Sequence, residues 1–258
     1  MLRPLFALLV LAAPLAAAEL KLSVQTRDDK GKPVAADRVI DPKTTAVIVC
    51  DMWDDHWCKA AAGRCDALAK KAAPVVESLR TAGATIIHCP SDTMDFYKDS
   101  KARQRAKDVK KAEPPKGKDL SSPPLPIDDS DGGCDDDPPA KFGKAWTRQH
   151  KAIAVDEEKD FVTDSGAEVY NILQARGLKA VLVLRVHTNM CVLNRTFAIK
   201  QLRRWEVDCL LVRDLTDSMY NPKKSPFVSH DEGTQLVIGY IERHWCPSVT
   251  SEQLAPKK

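Results

Sequence analysis

Residues 180–196 read AVLVLRVHTNMCVLNRT. The opening AVLVL (180–184) is a continuous apolar run, short enough for a strand covered on both faces. From residue 190 the spacing changes. Val192, Leu193, Thr196, Ile199 and Leu202 recur at helical intervals as far as residue 204. A buried strand thus feeds a helix, with Thr188 or Asn189 as the cap and Cys191 in the first turn. Main-chain N–H groups there lack intrahelical acceptors, a setting that favours a thiolate or an oxyanion.

The same alternation runs through the chain. AVIVC (46–50), ATIIHC (84–89), AIAV (152–155) and VDCLLV (207–212) are further strand-like runs. Helical spacing marks residues 66–82, where Pro74 is expected to kink or restart the helix. It also marks 165–176, closed by Gly177, and 231–244. Strand and helix in alternation predict a three-layer α/β fold on a mainly parallel sheet.

The chain has 258 residues and a formal net charge of +3. That balance is too small to point to nucleic acid. Residues 1–18, MLRPLFALLVLAAPLAAA, combine Arg3, an apolar core and an A-x-A site before Glu19. They are expected to be a secretory signal, leaving residues 19–258 as one domain. The protein is then expected to be exported, periplasmic or secreted, with no membrane association after cleavage. Export permits disulfides. The eight cysteines are expected to comprise buried thiols, one or two disulfides and one reactive cysteine. The repeated triplet HWC (56–58 and 244–246) suggests Cys58 and Cys246 as one pair.

Residues 113–140 break the pattern. They are rich in proline and hold DDSDGGCDDD (128–137). A loop of this length is usually functional or disordered. The aspartates lack the D-x-D-x-D-G frame and distal Glu of a calcium loop, so a solvated insertion covering one edge of the site is favoured.

In an open parallel sheet, ligands bind beyond the carboxyl ends of the strands. Asp51 follows the first run, His88, Ser91 and Asp92 lie at the end of the second, Asp156 to Lys159 follow the third, and Cys191 follows the fourth. A carboxylate, a candidate cation and a thiol map to one rim.

The pairing of IVCDMW (48–53) with VHTNMCV (186–192) resembles the isochorismatase-like cysteine hydrolases, whose nucleophile segment reads G-V-x-T-x-x-C-V. The resemblance runs from about Lys43 to Cys246, excluding the insertion. It implies a doubly wound, Rossmann-like sheet of about six strands and a homo-oligomer. It also implies a small-molecule substrate cleaved at a C–N bond through a cysteine thioester. Cys191 would be the nucleophile, Asp51 its base, and Lys159 (or Lys151) the third member. A cis peptide at Val186–His187 would turn the N–H groups of His187 and Cys191 into an oxyanion hole. Trp53, His56, His88, Thr188 and Asn189 are expected around the substrate. The metal set of nicotinamidase-type members is absent from HCPSDTMDFY (88–97), so no metal or other cofactor is expected.

Two departures stand out. Lys159 lacks the family's K-x-x-x-S-A-F context, and Arg185 stands where the family has Gly. Arg185 could strain the turn, block the pocket or supply a substrate-binding cation. The alternatives to amide hydrolysis are a repurposed binding protein on the same scaffold and hydrolysis of a vinyl-ether-type bond.

Overall fold

A computed structural model describes residues 19–138 and 140–254. The signal expected over residues 1–18 lies outside the described residues. In chain order the elements are β1 (Leu20–Arg27), β2 (Pro33–Ile40), β3 (Thr45–Cys50), α1 (Lys59–Thr81), β4 (Thr85–Cys89), α2 (Lys101–Asp108) and β5 (Phe161–Val162). There follow α3 (Gly166–Ala175), β6 (Ala180–Val186), α4 (Cys191–Asn194), α5 (Ile199–Arg204), β7 (Cys209–Asp217), α6 (His230–His244) and β8 (Ser248–Val249).

The strands form one sheet in the order β2-β1-β8-β7-β6-β3-β4-β5. The six from β3 to β8 are parallel. The sheet has eight strands rather than about six because the hairpin β1–β2 joins it antiparallel through β8. These two strands bury only Leu22, Val24 and Ile40 and keep one face in water. A search for continuous apolar runs passes over them for that reason. The run AIAV (152–155) lies in a turn region instead of a strand. The strand beside β4 is the two-residue β5, paired at Ile87↔Phe161 and His88↔Val162.

Side chains alternate across the sheet, so each strand serves two cores. Ala46, Ile48 and Cys50 of β3 pack towards α3, α5 and α6. Val47 and Val49 pack towards α1. Helix α1 continues through Pro74 as one helix, because Ala69, Ala72, Val75, Val76 and Leu79 on both sides of it bury a single apolar face. Gly177 closes α3 with φ +60, the left-handed conformation that costs glycine little.

The helix expected over 190–204 is broken into α4 and α5. Arg195 leaves helical geometry with ψ 155. Gly166, at the start of α3, sits so close to the main chain of Thr196 that a Cβ would collide with it. The break is therefore packed in place. It occurs at the switch point of the sheet, where β3 has β4 on one side and β6 on the other. Asp51 and Cys191 both emerge into that crevice.

Candidate active site

Asp51 follows β3 directly and is fully buried, with φ 46. Its Oδ1 accepts the Ser91 N–H at 2.8 Å. Its Oδ2 accepts the Arg195 Nε–H at 2.8 Å. The Cys191 thiol lies near the same carboxylate and near the main-chain N–H of His187. The Val186–His187 peptide is cis, as expected from the resemblance.

The electrostatics correct one expectation. The Cys191 thiol is pushed up from its ordinary value, first by burial and then by the Asp51 charge, against the pull of Arg195. Helix α4 has four residues, too few for much dipole to oppose this. The resting pair is thus a thiol beside a carboxylate. Burial raises the Asp51 carboxyl too, while Arg195 and the Ser91 N–H hold it down. A carboxylate whose proton affinity burial raises thus stands beside the thiol.

The cation facing Asp51 is Arg195, not Lys159. The Lys159 side chain is 71% exposed and pairs with Asp156 at 3.4 Å. Lys151 is exposed as well. With AIAV turned out of the sheet, the loop carrying Lys159 does not end at the site's rim. The neighbouring Asp160 is instead occupied by Arg80 at 2.6 Å and His88 at 2.9 Å.

A cavity of about 270 Å³ opens onto Cys191 and Arg195. Trp53 and Trp146 stack in its wall with ring centres 4.0 Å apart. His56, Trp57, Phe142 and His187 complete the ring-lined sides. Burial, followed by like charge nearby for His187, depresses both imidazoles: His56 to about 4 and His187 to about 3. At neutral pH the walls are therefore aromatic and uncharged. Charge is concentrated at Asp51, Arg195 and the half-exposed Asp92, whose Oδ2 is 3.6 Å from Arg195 Nη2.

Of the expected pocket residues, Trp53 and His56 line this cavity, and His187, expected at the oxyanion hole, lines it too. His88 does not. It is buried below, between Gln149 at 3.0 Å and Asp160. Thr188 and Asn189 brace the floor. Thr188 Oγ1 meets Thr216 Oγ1 at 2.7 Å. Asn189 bonds both main-chain groups of Met219 and reaches Asp129 at 2.8 Å. Arg185 takes φ 108 and sends its guanidinium away from the cavity, to the Leu68 carbonyl of α1 at 2.8 Å. Its Nε and Nη2 have no acceptor among the described residues. Burial lowers the guanidinium to about 9. Of its three possible roles, only a strained turn is compatible with this placement.

The insertion forms a wall of the site. It has no regular helix or strand over 113–138, but it is anchored throughout. Lys118 N–H reaches Arg204 O at 2.9 Å, and the Tyr240 hydroxyl reaches Pro123 O at 2.7 Å. Cys58 is disulfide-bonded to Cys134, with Cα atoms 5.6 Å apart, and not to Cys246. Cys246 is buried against Cys209 of β7 instead. Asp136 accepts the Lys59 and Ala60 N–H groups at the start of α1, each at 2.8 Å. Asp135 pairs with Arg64 at 2.7 Å, and Arg64 also binds Asp217 at 3.0 Å. Cys58, Cys134 and Asp136 have ligand-like spacing, but the sulfurs are bonded to each other and the carboxylate caps α1.

Arg195 and the aromatics just after the insertion, Phe142 and Trp146, were not singled out from the sequence. Arg195 had a legible signal, since CVLNR places it four residues after Cys191, on the same face of one helical turn. Nothing local marks Trp146. It is set in place by its neighbours, where Thr147 binds Asp54 and Gln149 pairs with Trp53.

The chain matches no protein-family model and no curated protein. It is similar to the solved structure of a cysteine hydrolase from Pseudomonas syringae pv. phaseolicola 1448A. The two are 17% identical, with a TM-score of 0.51 over 83% of this chain and 92% of that one. An isochorismatase from Pseudomonas putida KT2440 is 14% identical, with a TM-score of 0.48 over 83% and 91%. At such identity the likeness shows the fold alone, an isochorismatase-like α/β fold.

Proposed function

We propose that this protein is a cysteine hydrolase that cleaves a C–N bond of a small amide. The observation that carries the proposal is the meeting of the Cys191 thiol, the buried Asp51 carboxylate and the His187 N–H at the sheet's switch point. Asp51 takes the thiol proton as sulfur attacks the carbonyl carbon. The N–H groups of His187 and Cys191 receive the developing oxyanion. The C–N bond breaks, the nitrogen leaves with the proton from Asp51, and an acyl thioester remains. Water then attacks with Asp51 again as base, releasing the acid and restoring the thiol. The aromatic, uncharged walls suit a small flat acyl group. Export belongs to the same proposal, and the Cys58–Cys134 bond is in keeping with an oxidising compartment.

The upward push on the Cys191 thiol favours a second reading, a binding protein on a hydrolase scaffold. Ammonia release across a panel of small amides separates the two. Hydrolysis that disappears in Cys191→Ala supports the hydrolase. A folded wild-type protein that releases nothing supports the binding reading, and a Cys191→Ala variant that still turns over contradicts the thioester route.

A further inference from the structure

We infer that Arg195 is the positioning cation of the reacting pair, in the place where the family resemblance puts a lysine. The inference rests on the proposal that Cys191 attacks a carbonyl. Arg195 lies four positions after Cys191, so both project from one turn. The helix stops at Arg195, which frees the side chain to cross to the end of β3. There Nε bonds Asp51 Oδ2 at 2.8 Å, while the Ser91 N–H holds Oδ1 at 2.8 Å. The carboxylate is thus fixed by one donor on each oxygen.

The same guanidinium points Nη2 at Asp92, 3.6 Å away. One cation therefore stands between two carboxylates, Asp51 after β3 and Asp92 after β4. The other titratable groups around it are the buried thiols of Cys50 and Cys89, and the imidazoles of His56 and His187 across the cavity. Those thiols are pushed up by burial and the imidazoles pushed down, so all four are uncharged at neutral pH. Among the described residues, Arg195 is the one positive charge lining the cavity.

An arginine in this place changes the chemistry. A lysine ammonium can lend a proton; a guanidinium keeps its protons at any working pH. Every proton transfer then belongs to Asp51. It accepts from sulfur as the C–S bond forms, delivers to nitrogen as the C–N bond breaks, accepts from water in the second half, and returns the proton to sulfur. Without Arg195, burial raises the Asp51 carboxyl with less to oppose it, and the thiolate formed beside it loses its nearby counter-charge.

The test needs no knowledge of the substrate. Cys191 is alkylated with iodoacetamide across a range of pH, the site being identified by peptide mass, in wild type, Arg195→Gln and Arg195→Lys. Thermal unfolding confirms that each variant is folded. Arg195→Gln is expected to move the onset of alkylation upward by about one pH unit or more. Arg195→Lys keeps the charge and is expected to stay within about half a unit of wild type. An unmoved onset in folded Arg195→Gln overturns the inference. Should that variant not fold, an upward move of about one unit in Arg195→Lys overturns it, and an unmoved onset there sustains it. Amide hydrolysis measured in parallel is expected to fall on the order of 10²-fold or more in Arg195→Gln, with partial recovery in Arg195→Lys. If no variant and no wild-type protein hydrolyses amides, the hydrolase proposal fails, while the alkylation profile still decides the role of Arg195.

Discussion

Arg195 and Asp51 stand 144 positions apart in the chain, yet Nε of one lies 2.8 Å from Oδ2 of the other. The contact is made from the helical turn that begins at Cys191. A lysine delivered from the third strand-like run is not needed to charge this site.

Lys159→Ala is therefore expected to leave hydrolysis within about twofold of wild type and stability within about 0.5 kcal/mol. Its pair with Asp156 is exposed, and such pairs contribute little. Steady-state rates and urea unfolding check this together. A tenfold fall in rate would return Lys159 to the chemistry.

Arg185→Met is expected to be neutral or stabilising, by up to about 4 kcal/mol. The guanidinium is fully buried, with one hydrogen bond and no carboxylate beside it among the described residues, and methionine fills similar space without a charge to desolvate. The measurement is the urea midpoint at constant slope. A loss of stability would mean that Arg185 has a partner in solution that compensates its burial.

The layered fold was legible because its central strands are buried on both faces and read as unbroken apolar runs. The hairpin β1–β2 and the two-residue β5 lack that signature, and AIAV has it without being a strand. Cys191 and Asp51 were legible because the chemistry of a parallel sheet lies just past its strand ends. The cation was not, because the search followed strand ends and Arg195 sits one helical turn beyond. The partner of Cys58 was not either. A disulfide depends on how a long irregular segment folds back, and the triplet HWC carries no information about that.

Replacing both Cys58 and Cys134 with Ser is expected to cost about 2–4 kcal/mol. The bond closes a separation of 76 residues. Gly132, Phe142 and Trp146 of the same part of the chain line the cavity, so KM should rise more than kcat falls. Unfolding and kinetics without reductant test both parts. Unchanged KM in the folded double variant would detach the insertion from substrate binding.

His56 should make the protein sensitive to mild acid. Its Nδ1 accepts the Cys58 N–H at 3.2 Å and cannot do so once protonated. Burial depresses the folded value to about 4, whereas an unfolded histidine titrates near about 6.5. As pH falls, the unfolded chain takes up its proton first. The contribution is complete above about pH 6.5, shrinks on the way down and is lost once pH passes about 4. His187 behaves alike, with a folded value of about 3. His230 is raised, burial being outweighed by its hydrogen bond to Asp217, so its contribution is present below about 6.5 and lost as pH rises through its folded value. Urea unfolding of wild type against His56→Gln isolates the His56 part. Between about pH 6.5 and 4 wild type should lose more stability than the variant; parallel curves would contradict the assignment.

The central claim is that Cys191 attacks a carbonyl carbon. Intact-protein mass spectrometry after rapid mixing with small aromatic amides and their activated esters, quenched in acid, tests it most directly. The account predicts a mass increase equal to one acyl group. It should map to the peptide containing Cys191, be discharged by hydroxylamine and be absent in Cys191→Ala. Turnover with no acyl group on Cys191, or an equal adduct in the alanine variant, would contradict it.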